Sequence, residues 1–165
     1  MKKVTILIAA LFMVVAANQA QSLQSLFEKY GNDEHFEYVS VGKGMMNLGG
    51  LLGGIAKDDK EMMSKMRSVK ILSLEGESNA SLMKALETDL DKVLAKGNFE
   101  TAVEVRDKGE RVNVYYRVSD DNNADMLIVS KEKNEFSLIW ISGKMSKEEM
   151  MKSFSDKGQM VIGLS

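Results

Sequence analysis

Between Phe99 and Ser142 apolar residues recur at every second position, a period that only extended strands can place on one face. Val103 and Val105 alternate with Glu104 and Arg106, and Val112, Val114, Tyr116 and Val118 with Asn113, Tyr115 and Arg117. Register follows from matching apolar to apolar. A two-residue Lys108-Gly109 turn sets Val105 opposite Val112 and Val103 opposite Val114, whereas a three-residue turn mixes the faces. Asp120 to Asp125 reads as a polar loop and Met126 to Lys131 as the next strand. Lys133-Asn134 reads as a second tight turn, with Asn tolerating φ > 0. Phe136 to Ser142 is apolar on both sides, with Phe136, Leu138 and Trp140 on one and Ile139 and Ile141 on the other. A strand of that kind is covered on both faces and belongs in the middle of a sheet.

The first half of the chain is mostly helical in pattern. Leu23, Leu26, Phe27 and Tyr30 share one helical face, and Gly31-Asn32-Asp33 stops that helix. Phe36 to Val41 alternates as a strand. Met45 to Ala56 is apolar but holds four glycines, each costing roughly 1 kcal/mol in a helix, so helix and loop both stay open. Asp58 to Arg67 is expected as a helix with acids at its start and bases at its end, then Val69 to Leu74 as a strand. Ala80 to Lys96 is the longest helix, with a stripe of Leu82, Ala85, Leu86, Leu90, Val93 and Leu94 and a stop at Gly97. Ser146 and Glu149 form a capping box for a last helix. Early helices and late strands give an α+β class. The expected architecture is an antiparallel-dominated mixed sheet with helices packed on it, ending in a four-strand meander.

Composition and the amino terminus say where such a domain goes. Lys2 and Lys3 precede the apolar run Val4 to Ala17 and then Asn18-Gln19-Ala20, the pattern of a secretory signal peptide. Residues 1–20 are therefore expected as a signal and 21–165 as a single domain. The mature protein is expected to be exported, periplasmic or secreted, with no transmembrane span. No Cys occurs anywhere in the 165 residues, so the fold needs no disulfide and offers no thiol for lipidation. It is not expected to be a lipoprotein. Removal of Lys2 and Lys3 leaves 20 basic against 24 acidic side chains, a net charge of −4. A mildly acidic, interspersed surface argues against nucleic acid. Methionine is abundant, at 13, with Met45, Met46, Met62, Met63 and Met66 close in sequence, as core filler or an adaptable groove.

Chemical motifs are sparse. Gly76-Glu77-Ser78-Asn79-Ala80 has the spacing of a nucleophile elbow, but no histidine follows it, and Ser78 or Asn79 reads as a helix N-cap. Asp121, Asn123, Asp125 and Glu132 match Ca²⁺-loop spacing, yet Met126 replaces the required glycine and strands flank the segment. His35, the lone histidine, reads as a turn residue and not a metal ligand. No catalytic residue, metal site or cofactor is expected. The least ordinary feature is a hairpin with three of the four arginines. Arg106 and Arg111 are directly opposed, on a face shared with Glu104, Asn113, Tyr115 and Arg117. Opposed like charges are unfavourable, and Arg suits carboxylate or phosphate. The plain alternative is a solvated face whose charges pair with Glu104, Asp107 and Glu110.

Four blocks in this order also resemble a known family: Leu-Phe-Glu-Lys-Tyr (26–30), Tyr-Val-Ser-Val-Gly-Lys-Gly-Met-Met (38–46), Lys-Ile-Leu (70–72) and Leu-Ile-Trp-Ile-Ser-Gly-Lys-Met (138–145). They resemble the small exported Bacteroidetes proteins classed as domain of unknown function 4252. The resemblance implies an α+β envelope protein of unassigned activity and transfers no catalytic residues. Its lipoprotein relatives carry a Cys that this chain lacks. The expected function is a non-enzymatic binding domain for an envelope protein or a small anionic ligand, with Arg106, Arg111, Arg117, Tyr115 and Glu104 as the binding surface. The alternative is a small hydrolase or isomerase using pocket carboxylates.

Overall fold

A computed structural model describes residues 22–47 and 64–150. Its elements run α1 (Leu23–Gly31), β1 (Glu37–Gly42), α2 (Lys43–Asn47), β2 (Met66–Glu75), a 3-10 turn (Glu77–Asn79), α3 (Ala80–Lys96), β3 (Glu100–Asp107), β4 (Glu110–Val118), β5 (Asn123–Lys131) and β6 (Glu135–Lys144). The six strands form one sheet in the order β1-β2-β6-β5-β4-β3. Every ladder is antiparallel, and β3 to β6 are the four-strand meander. The class is α+β, and β6 lies inside the sheet, as its two apolar sides require. The signal segment and most of the Gly/Met-rich stretch lie outside the described residues. So does the body of the expected 58–67 helix. Of its described residues, 64 and 65 are helical, and Met66 and Arg67 already belong to β2, whose ladder to β6 starts at Met66↔Gly143.

Cross-strand rows define the two faces. On the helix side one row reads Asn113, Val129, Leu138, Leu72, and the next reads Tyr115, Leu127, Trp140, Lys70. Helices α1 and α3 bury Leu23, Leu26, Phe27, Leu86, Leu90 and Val93 against Leu72, Leu127, Phe136 and Leu138 to make the main core. On the far side the rows are Val103, Val114, Ile128, Ile139, Ile71, Val39 and then Tyr116, Met126, Ile141, Val69, Val41. That face is also apolar, and Met145 and Met150 pack at one end of it against Tyr116 and Ala124. The valines of β3 and β4 therefore point away from the main core, and their polar alternates share the helix side.

Local chemistry explains most of the boundaries. The Ser22 hydroxyl accepts from the Ser25 amide at 3.1 Å and starts α1. Ser146 and Glu149 cap the turn at 147–150 reciprocally, at 2.8 and 3.2 Å. On α3, Ala85 is exposed, while Met83 and Asp89 join the buried side. Asn79 does occupy the N-cap of α3, but its side chain donates back to the Glu75 carbonyl at 2.7 Å and caps nothing. Lys133-Asn134 turns without a positive φ. That conformation falls instead at Asn98, Lys108 and Asn122. The β4–β5 loop is also shorter than expected, because Asn123 to Asp125 already pair with β4 and β6.

The first hairpin has the expected register, Val105↔Val112 and Val103↔Val114, with Ala102 absorbed as a bulge. Both turn residues are left-handed, Lys108 at φ 43 and Gly109 at φ 98, as a type I′ turn demands. A Cβ on Gly109 would meet nothing within 4 Å, so any cost there is purely backbone. Gly109→Val is expected to lose more than about 1 kcal/mol in urea unfolding. A midpoint equal to wild type would contradict the turn.

Candidate ligand-binding cleft

Where α3 passes over β4 and β5 a cleft of about 90 Å³ opens to solvent. Its floor is Leu90, Leu94, Val129 and Phe136, an extension of the main core. Its rim is polar: Arg111, Asn113 and Tyr115 from β4, Lys131 from β5, and Glu87 and Asp91 from α3. The alternation of β4 puts Arg111, Asn113 and Tyr115 on one side, and the ladders turn that side toward α3.

The charges around the cleft are unevenly matched. Arg106, Arg111 and Lys131 stand side by side on β3, β4 and β5. Three cations in one cross-strand row repel unless each has a counter-charge. Arg106 pairs with Glu104. Lys131 donates to both carboxylate oxygens of Glu87 at 2.6 Å. Arg111, between them, has no hydrogen bond or ion pair among the described residues. Arg111 is exposed, and neither Asp107 nor Glu110 pairs with it.

One polar atom in the cleft is also left over. The Asn113 amide nitrogen donates to the Tyr115 hydroxyl at 2.9 Å, while its Oδ1 is buried with no partner. A buried acceptor without a donor costs about 1–3 kcal/mol, and in a native fold such an atom calls for an explanation. Because Tyr115 accepts from Asn113, its own O–H is free to donate outward. The cleft thus presents an unpaired guanidinium and a phenolic hydroxyl over an apolar floor, with the unsatisfied Asn113 Oδ1 buried in its wall.

The remaining sequence candidates are placed elsewhere. Arg117 donates to Asp125 at 2.7 Å, reaches the Gly97 carbonyl at 3.3 Å and lies 4.6 Å over the Phe99 ring, so it fastens the end of α3 to the sheet. Asp125 also accepts from Trp140 Nε1 at 2.8 Å. Asn123 accepts from Arg67 at 2.9 Å, and Glu132 lies past the opposite end of β5. The Asp121, Asn123, Asp125 and Glu132 spacing is therefore not gathered around one point, and no cluster of metal-ligating side chains occurs among the described residues. His35 is exposed in a turn, 2.7 Å from Asp33, whose carboxyl the His35 backbone and ring hold below its ordinary range. Ser78 is exposed in the turn before α3.

Residues 30–153 match the family described as Domain of unknown function (DUF4252). The chain belongs to the DUF4252 family. The matched span takes in all six strands and every residue of the cleft. No curated protein and no solved structure matches this DUF4252 chain at a significant level. Among its described residues no helix is long and apolar enough to cross a membrane.

Glu87, Asp91, Asn113 and Lys131 are the polar cleft residues that sequence reasoning did not assign to the binding surface. A signal for Lys131 existed, since extending the second hairpin's register places it beside Arg111. Nothing local marked Glu87 and Asp91, because which side of α3 overhangs β4 is a matter of packing.

Proposed function

We propose that this DUF4252 protein is an exported, non-enzymatic binding domain that takes the anionic group of a small ligand or envelope partner in the cleft between α3 and β4. The supporting observation is Arg111: a guanidinium between two neutralised cations, without a counter-charge of its own among the described residues. A guanidinium matches carboxylate or phosphate in a bidentate geometry, and the Tyr115 hydroxyl adds a donor on the same side. An enzyme working through pocket carboxylates would be favoured by carboxyls pushed up in an apolar cleft. The carboxyl that burial, Glu132 and Glu75 push up is Glu135, at the start of β6 and away from the cleft lining.

Sulfate tests the reading. It stabilises most proteins through exclusion from their surfaces, so the informative quantity is the difference between wild type and Arg111→Ala. Without sulfate the variant should unfold within about 0.5 kcal/mol of wild type, or later, because an unpaired cation beside two others is gone. With sulfate, wild type should gain more in melting temperature, since a ligand bound only by the native state adds stability as its concentration exceeds Kd. Equal gains in both proteins would sink the proposal.

A further inference from the structure

Arg111 and Asp91 line the same cleft from opposite elements, a strand and a helix, and neither has an ion-pair partner among the described residues. They are therefore unlike charges that do not satisfy each other. The elements carrying them are fixed by the core beneath, through Phe136, Leu90 and Val129. A simple anion would satisfy Arg111 and leave Asp91 without a partner. A ligand with a carboxylate at one end and a charged N–H donor at the other would satisfy both.

The cleft's size and floor narrow this further. A water needs about 10–15 Å³ of this kind of volume, so about 90 Å³ suits roughly six to nine non-hydrogen atoms. The floor is aliphatic and aromatic. We infer that the ligand is a free α-amino acid with a small apolar side chain. Its carboxylate meets Arg111 and the Tyr115 hydroxyl, its ammonium meets Asp91, and its side chain rests on Leu90 and Val129. This rests on the proposal that Arg111 binds an anion, and it adds the second charge and the size.

Titration calorimetry on the folded protein with L-valine and three relatives tests it. 3-Methylbutanoate lacks the ammonium, isobutylamine lacks the carboxylate, and N-acetyl-L-valine replaces the ammonium by an amide, as in a peptide carboxy terminus. Valine should bind at least tenfold more tightly than each of the others. Asp91→Asn, a change on an exposed helix position, should remove the preference for valine over 3-methylbutanoate while leaving the sulfate difference at Arg111 intact. If 3-methylbutanoate binds as well as valine, the amino-acid assignment is wrong and the anion site stands. If N-acetylvaline binds as well or better, the occupant is a peptide carboxy terminus and the assignment is again wrong. If none of the four binds, the assignment falls, and the sulfate comparison decides separately whether Arg111 is an anion site.

Discussion

Phe27→Ala should lower stability by about 3–5 kcal/mol, the largest loss expected from a single substitution in this chain. Phe27 is fully buried on α1, and its ring meets Trp140 at 5.5 Å between centroids. Nine residues are too few for a helix to persist in water on its own, so α1 depends on what its apolar face covers. Removing the ring opens a cavity bounded by two rigid layers, the sheet below and α3 beside, which limits how far the site can collapse. Domains of this size are typically stable by about 5–15 kcal/mol, so the variant should sit near the edge of folding. Trp140 is the only tryptophan, and its fluorescence reports the same contact. A denaturant midpoint within about 1 kcal/mol of wild type, at unchanged slope, would show that α1 does not depend on this contact.

Asp89→Ala should cost about 2–3 kcal/mol, and the loss should shrink in acid. Asp89 is the one buried charged residue among those described. Its carboxylate accepts from Lys29 at 2.6 Å, from the Tyr30 hydroxyl at 3.0 Å and from Lys92 at 3.2 Å, which ties α1 to α3. Burial pushes its carboxyl up, but the three donors outweigh that and hold it below the ordinary range. The lysines are more than half exposed, so water screens them and each contributes little. The Tyr30 bond is the buried one, and Tyr30→Phe should reproduce a good part of the loss. The pH dependence follows from the direction of the shift. A carboxyl lowered in the native state contributes fully above its unfolded value, near 3.9, and loses that contribution as pH falls through the native value. Wild type and Asp89→Ala should therefore draw closer in stability as pH falls below the unfolded value and through the native one. A gap that persists unchanged into acid would assign the loss to packing alone.

Asp89 also shows how much was legible along the chain. It stands between Leu86 and Val93 on the very stripe that marks α3, so helical periodicity is enough to put it on the buried side. What periodicity could not supply was its partner, since Lys29 and Tyr30 lie some sixty residues earlier and meet it only when α1 packs on α3. The cleft behaves the same way. Arg106 opposite Arg111 was legible from the hairpin, because a two-residue turn and a period of two leave one register. The pairing of Arg106 with Glu104, two residues away on the same face of β3, was legible in the same way. Two further outcomes depend on which groups the packing brings near: Arg117 fastens α3 to β5, and Arg111 keeps its charge unpaired among the described residues.

Local interactions are enough to set much of this DUF4252 chain: the capped start of α1, the length of α3, the Lys108-Gly109 turn, the meander and the interior place of β6. Each rests on contacts within a few residues, or on an alternation that one register satisfies. Which face of the β3–β4 hairpin lies under the helices was left to tertiary packing. Alternation separates two faces without ranking them, and in this sheet both are apolar, one through Leu72, Leu127 and Leu138, the other through Ile71, Ile139 and Val114. The ladders to β5 and β6 carry the leucine side under α1 and α3. They take Arg111, Asn113 and Tyr115 with it, and so turn what reads as a solvated strand face into the wall of a cleft.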